Sequence, residues 1–189
     1  MTGIAPGEAG FRSASSRRTV RLLPFLLAAL FALAPSESPA QQQGQAEILE
    51  TVESGYLAHR RGDYDQAVEI YTSIIRRRGL TPKQRAVSYL LRGEAKRDKG
   101  DLDEAVYDFT RALNQWQNYP QAIFFRGQTL AMLNRLPEAL MDYTRAVELD
   151  PDRESYRTSL SLLKKRMQDE GLPTEIANST LELHIPQER

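Results

Sequence analysis

Two histidines, His59 and His184, are the only imidazoles in the 189-residue chain, and there is no cysteine. A zinc site needs about four nitrogen, sulfur or carboxylate ligands at close spacing. Neither histidine has a second one nearby, so the pattern argues against a metal site. Without cysteine, a disulfide framework, a thiolate centre, a cysteine nucleophile and a lipid anchor on an N-terminal cysteine are all excluded. Two acidic triplets, Asp63-Tyr64-Asp65 and Asp101-Leu102-Asp103, have spacing that suggests calcium. A calcium loop, however, needs more oxygen ligands and a central glycine. Each triplet instead falls where a helix would start, and helix capping explains both. No nucleophile stands in register with an acid or base, so the reading is of a chain that carries out no reaction and holds no cofactor.

The positions that could do work are therefore binding positions, and the elements that present them repeat. Gly127, Ala139, Tyr143 and Ala146 have counterparts 34 residues upstream at Gly93, Ala105, Phe109 and Ala112. A third copy, Gly55, Ala67, Tyr71 and Ile74, lies 38 residues before the middle one. The four extra residues fit a loop in the stretch 76–83, RRRGLTPK. Self-similarity at a fixed period marks stacked units that cannot bury their apolar faces alone. The glycine of each unit lets a second helix come close, the alanine does the same from the other side, and the aromatic fills the remaining space.

On these residues, with Asp150-Pro151 closing the last unit, the chain resembles the tetratricopeptide repeat family over roughly residues 48–153. Two departures are visible. Thr51, Tyr89 and Ile123 replace the family's early tryptophan, and Gly79 and Gln117 stand where the closing proline is expected in the first two units. The resemblance implies an all-α fold, a right-handed solenoid of three helix-turn-helix repeats plus a C-terminal capping helix. It also implies a concave binding face lined by the first helix of each pair. In this sequence that face maps to Leu49, Val52, Tyr56 and His59, then Val87, Leu90, Glu94 and Arg97, then Gln121, Phe124, Gln128 and Met132. Some family members grip chaperone-tail carboxylates through lysine, asparagine and arginine at such places. Here Val52, Tyr56, Gln121 and Phe125 occupy them, which speaks against that clamp. An apolar groove with a few polar groups suits an amphipathic helix or an extended apolar peptide. Phe124 is the expected anchor, because aromatic side chains in pockets dominate binding energy. The plainer alternative is that Leu90, Phe124 and Met132 only pack the array.

Local signals place the helices. Asp63 with Gln66, and Asp101 with Glu104, read as capping boxes. Gly62, Gly100 and Asn134 stand where the preceding helices should end in a left-handed residue. Pro82, Pro120, Pro137 and Pro151 fall at or near predicted first turns, where proline costs little. Tyr156, Leu160, Leu163 and Met167 form one apolar stripe over residues 152–170, as a capping helix requires. Arg76, Arg77, Arg78, Lys83 and Arg85 make a basic patch, either a solvated helix end or a contact for an acidic partner or lipid headgroup.

The ends of the chain read differently. Arg17, Arg18 and Arg21 precede the apolar run LLPFLLAALFALA at 22–34, and Ser38-Pro39-Ala40 offers small residues for cleavage. Thirteen apolar residues are too few for a comfortable span, and the pattern is that of a secretory signal peptide at 1–40. The alternatives are an uncleaved anchor and, from Ser16-Arg17-Arg18, a twin-arginine signal, which Val20 and Arg21 fit poorly. This predicts a periplasmic or secreted protein whose membrane contact is transient. Residues 1–40 hold four of the 25 basic and two of the 25 acidic residues, so the remainder has 21 and 23, a formal charge of −2. That balance offers no general attraction to nucleic acid. Residues 41–46, QQQGQA, read as a disordered lead-in, 47–170 as the repeat domain and 171–189 as a mobile tail. In that tail, residues 181–185 alternate like a strand and Asn178 fits a glycosylation acceptor. The function expected is a scaffold or adaptor for a protein or peptide partner of unknown identity. The rival is an accessory or regulatory subunit of an exported enzyme, for example one acting on the cell wall.

Overall fold

A computed structural model describes residues 39–175. Seven helices follow one another in this span: α1 Pro39–Arg60, α2 Tyr64–Ile75, α3 Pro82–Lys99, α4 Leu102–Gln115, α5 Pro120–Met132, α6 Leu136–Leu149 and α7 Glu154–Asp169. Each helix packs on the next, and the first helices of successive pairs, α1, α3 and α5, also touch one another. This is the solenoid expected from the repeat. The proposed signal peptide up to residue 38, Asn178 and the alternating segment 181–185 lie outside the described residues.

The repeated small residues sit at the points of closest helix approach. A Cβ built on Gly55 would come within 2.7 Å of Tyr71 Cε1, and one on Gly93 within 2.7 Å of Phe109 Cε1. On Gly127 it would meet Tyr143 Cδ1 and Asp142 Cβ at 3.0 Å. Ala67, Ala105 and Ala139 are fully buried opposite them. The turn inside each pair repeats as well. Gly62, Gly100 and Asn134 have φ of 81°, 103° and 60°. The amides that follow donate back across the turn: Asp63 N–H to Ala58 O at 3.0 Å, Asp101 N–H to Lys96 O at 2.9 Å and Arg135 N–H to Leu130 O at 2.9 Å. These bonds satisfy carbonyls that the helix end would otherwise leave free.

The caps depart from expectation. Asp63 accepts from the Gln66 backbone N–H at 3.2 Å, but the Gln66 side chain turns to Arg61, so that box is half made. Asp101 makes no side-chain cap bond and pairs with Lys99 at 3.2 Å instead. The complete capping box is at α3, where Thr81 Oγ1 accepts from Gln84 N–H and Gln84 Oε1 accepts from Thr81 N–H. Residues 41–46 also differ: they are helical, within α1, where a disordered lead-in is expected. Glutamine and alanine favour a helix, and Gly44 alone costs about 1 kcal/mol. Tertiary contact offsets that cost. Gly44, Gln45 and Ile48 line a cleft shared with Arg77, Arg78, Gly79, Thr81 and Gln84, and Arg77 Nη2 donates to Glu47 Oε1 at 2.9 Å.

A polar ladder joins the layers. Arg92 of α3 grips Asp108 of α4 with two hydrogen bonds, at 2.8 and 2.6 Å, and donates to Thr72 Oγ1 of α2 at 3.0 Å. Thirty-four residues on, Arg126 grips Asp142 at 2.8 and 2.7 Å and reaches Thr110 Oγ1 at 3.4 Å. Each arginine thus ties its own helix pair together and to the preceding pair. Burial pushes the Asp142 carboxyl up, while Arg126 pulls it down.

Candidate functional site

The mapped face divides into two layers. Val52, Val87, Leu90 and Phe124 are buried, between 0% and 6% exposed. They form the floor and pack the array. Phe124 is the clearest correction: its ring stacks on Tyr156 of α7 at 4.4 Å and tilts against Tyr143 at 5.4 Å. The capping helix therefore covers the residue expected to anchor a partner. Tyr56, His59, Glu94, Arg97 and Gln128 are half-buried, Gln121 is exposed, and Met132 is 59% exposed. These form the accessible layer.

The structure joins several of them across helices. His59 Nε2 of α1 pairs with Asp98 Oδ2 of α3 at 2.9 Å, and the His59 ring meets Tyr64 edge-on. Arg97 Nε donates to Asp98 Oδ1 at 2.9 Å, and its Nη1 donates to Gln128 Oε1 of α5 at 3.3 Å. The same guanidinium lies 5.1 Å from the centre of the Phe125 ring. Asp98 and Phe125 thus belong to the site, although the mapping omits Asp98. Its signal was its place beside Arg97, one position outside the helical spacing used.

Glu94 lies between Tyr56 and Gln128 in the repeat register. Among the described residues it makes no hydrogen bond or ion pair. Burial pushes its carboxyl up to about 7, Arg97 pulls it down and Asp98 pushes it further up. The Tyr71 hydroxyl is also buried without a partner. Burial raises that phenol's pKa, and the Glu94 charge adds to the effect.

One further residue was missed. Leu162 follows Gln128 by 34 residues, so the row of Tyr56, Glu94 and Gln128 continues onto α7, where Leu162 is 64% exposed. Carrying the period one step past the last full repeat would have found it. The basic patch, by contrast, is largely spent on structure. Arg77 pairs with Glu47, Arg85 Nη1 donates to Ile75 O at 2.6 Å, and Lys83 sits 5.3 Å from the Trp116 ring centre. No group of acidic or histidine side chains suited to a metal occurs among the described residues.

The tetratricopeptide repeat profile matches this chain at residues 52–113 and 90–154, over the same helix pairs. The chain belongs to the tetratricopeptide repeat family. Among solved structures, it is similar to the first such domain of Spaghetti (RPAP3) bound to the HSP90 peptide SRMEEVD. That match has a TM-score of 0.58 and 26% identity, and covers 64% of this chain and 93% of that one. The second such domain of human RPAP3, in complex with the HSP70 peptide SGPTIEEVD, aligns with a TM-score of 0.57 and 27% identity over 63% of this chain and 96% of that one. Human DnaJ homolog subfamily C member 7 is 28% identical over 124 residues, 62% of this chain. The chain spans 24% of the length of that relative.

Proposed function

We propose that this tetratricopeptide repeat protein is a scaffold or adaptor that holds a peptide or helix of a partner protein across the face formed by α1, α3 and α5, and performs no chemistry itself. The observation that carries this reading is the accessible layer of Tyr56, Glu94, Arg97, Gln128 and Met132 over a packed apolar floor. The two similar repeat domains were solved with peptides, which supports a peptide-sized partner. Replacing Met132 with Asp and Gln128 with Ala together should weaken partner binding by about 2 kcal/mol, roughly thirtyfold. Tyr107→Ala, at an exposed site on α4, should leave it unchanged. Equal loss in both variants, or none in the first, contradicts this placement.

The chain also reads as exported to a periplasm or beyond. The arginines at 17, 18 and 21, the apolar run at 22–34 and the small residues at 38–40 support this. Cleavage after Ala40 would remove only the first two residues of α1. Mass spectrometry of the native protein should find an N-terminus at or near Gln41, and an intact N-terminus on the working protein contradicts export by cleavage.

A further inference from the structure

We infer that the groove selects a partner segment carrying a lysine or arginine side chain at its centre, with Glu94 as the residue that receives it. This rests on the groove reading above and specifies the chemistry of the occupant. Four observations converge on it. Glu94 lies between Tyr56 and Gln128 in the row, on the middle of the three first helices. It is half-buried and makes no ion pair or hydrogen bond among the described residues. The nearby guanidinium of Arg97 lowers the Glu94 pKa through space, but its hydrogen bonds go to Asp98 and Gln128 and not to Glu94. Finally, Val52, Tyr56, Gln121 and Phe125 are all uncharged and add no positive charge to this face.

A carboxylate withdrawn from water without a partner is costly, and an incoming cation relieves that cost. Burial is also the main cause of the raised proton affinity of Glu94, which Arg97 only partly offsets. An acidic segment would place like charge beside Glu94 and Asp98. Tyr56 precedes Glu94 in the row and offers apolar ring surface, so the hydrocarbon stem of a lysine or arginine lies along it while the head meets Glu94. The peptides bound by the similar domains end in EEVD. The charge requirement of this groove is the reverse.

The test is an array of immobilised twelve-residue peptides with a randomised background and a fixed central Lys, Arg, Gln or Glu. It is probed with the full chain and with its Glu94→Gln and Glu94→Lys variants, each checked for helical content by circular dichroism. The full chain should prefer Lys- and Arg-centred peptides over Glu-centred ones by at least about tenfold, the scale of a charge-assisted hydrogen bond. Glu94→Gln should remove most of that preference, and Glu94→Lys should reverse it. A preference for basic centres that survives in both variants overturns the role of Glu94 and leaves the groove reading standing. Preference for Glu-centred peptides overturns the inference in the same way. Failure of the folded full chain to enrich any peptide overturns the groove reading and the inference with it.

Discussion

At the scale of single residues, the balance between burial and charge decides what each groove position can do. Glu94 is raised from its ordinary value to about 7 because burial withdraws it from water, an effect that Arg97 offsets only in part and Asp98 adds to. The facing groups are Arg97, Asp98 and the phenols of Tyr71 and Tyr119. A carboxylate whose folded pKa is raised binds its proton more tightly in the folded state. Its contribution is therefore fully present below the unfolded value near 4.5 and is lost as pH rises towards 7. Glu94→Gln should consequently be more stable than the parent protein at pH 8, by at most about 3 kcal/mol and less where solvent screens the charge. The two should converge below about pH 4.5. Urea denaturation at pH 4 and pH 8 measures this, and a constant difference between the two pH values would contradict it. Phe124 teaches the complementary lesson. Its spacing placed it correctly on the first-helix face, but spacing alone does not reveal which neighbour covers a side chain. Tyr156, in the helix after the last full repeat, stacks on it and removes it from the groove.

At the scale of helices, the packing was legible because it depends on residue size at a fixed period. Gly55, Gly93 and Gly127 meet Tyr71, Phe109 and Tyr143 as the spacing implied, and the left-handed residues end the first helix of each pair. The Arg–Asp ladder was present in the sequence at the same 34-residue spacing and went unread, because charged residues on a helix are usually solvated. In the first pair Ser54 and Ile70 stand in the corresponding places, so the pin is confined to the second and third pairs. Removing Asp142 alone would leave the Arg126 guanidinium, 27% exposed, without its carboxylate. Asp142→Ala should cost about 3 kcal/mol, whereas a joint change of Arg126 and Asp142 to leucine should cost far less. Thermal unfolding of both variants separates these outcomes. An Asp142→Ala protein that melts with the parent would show that the ladder contributes nothing. The α1 extension over 41–46 was illegible for a different reason: its sequence is only weakly helical, and what holds it is contact with the loop after α2.

At the scale of the whole molecule, three stacked pairs and a cap bury one continuous core and leave one face of half-buried polar groups over an apolar floor. Among the described residues no helix is long and apolar enough to cross a membrane. The architecture followed from the repeat. The partner did not, because the period fixes which residues share a face and is silent about what meets them. The central claim is that the first-helix face holds the partner. The most direct measurement installs a photo-crosslinking amino acid at Gln128, on the α5 part of that face, and separately at Glu148, exposed on α6. After irradiation in the native fraction, adducts are resolved by mass spectrometry. The account predicts a discrete partner adduct from position 128, suppressed by Met132→Asp, and none above background from position 148. Adducts from position 148 with equal or greater yield, or an adduct at 128 indifferent to Met132→Asp, would contradict it.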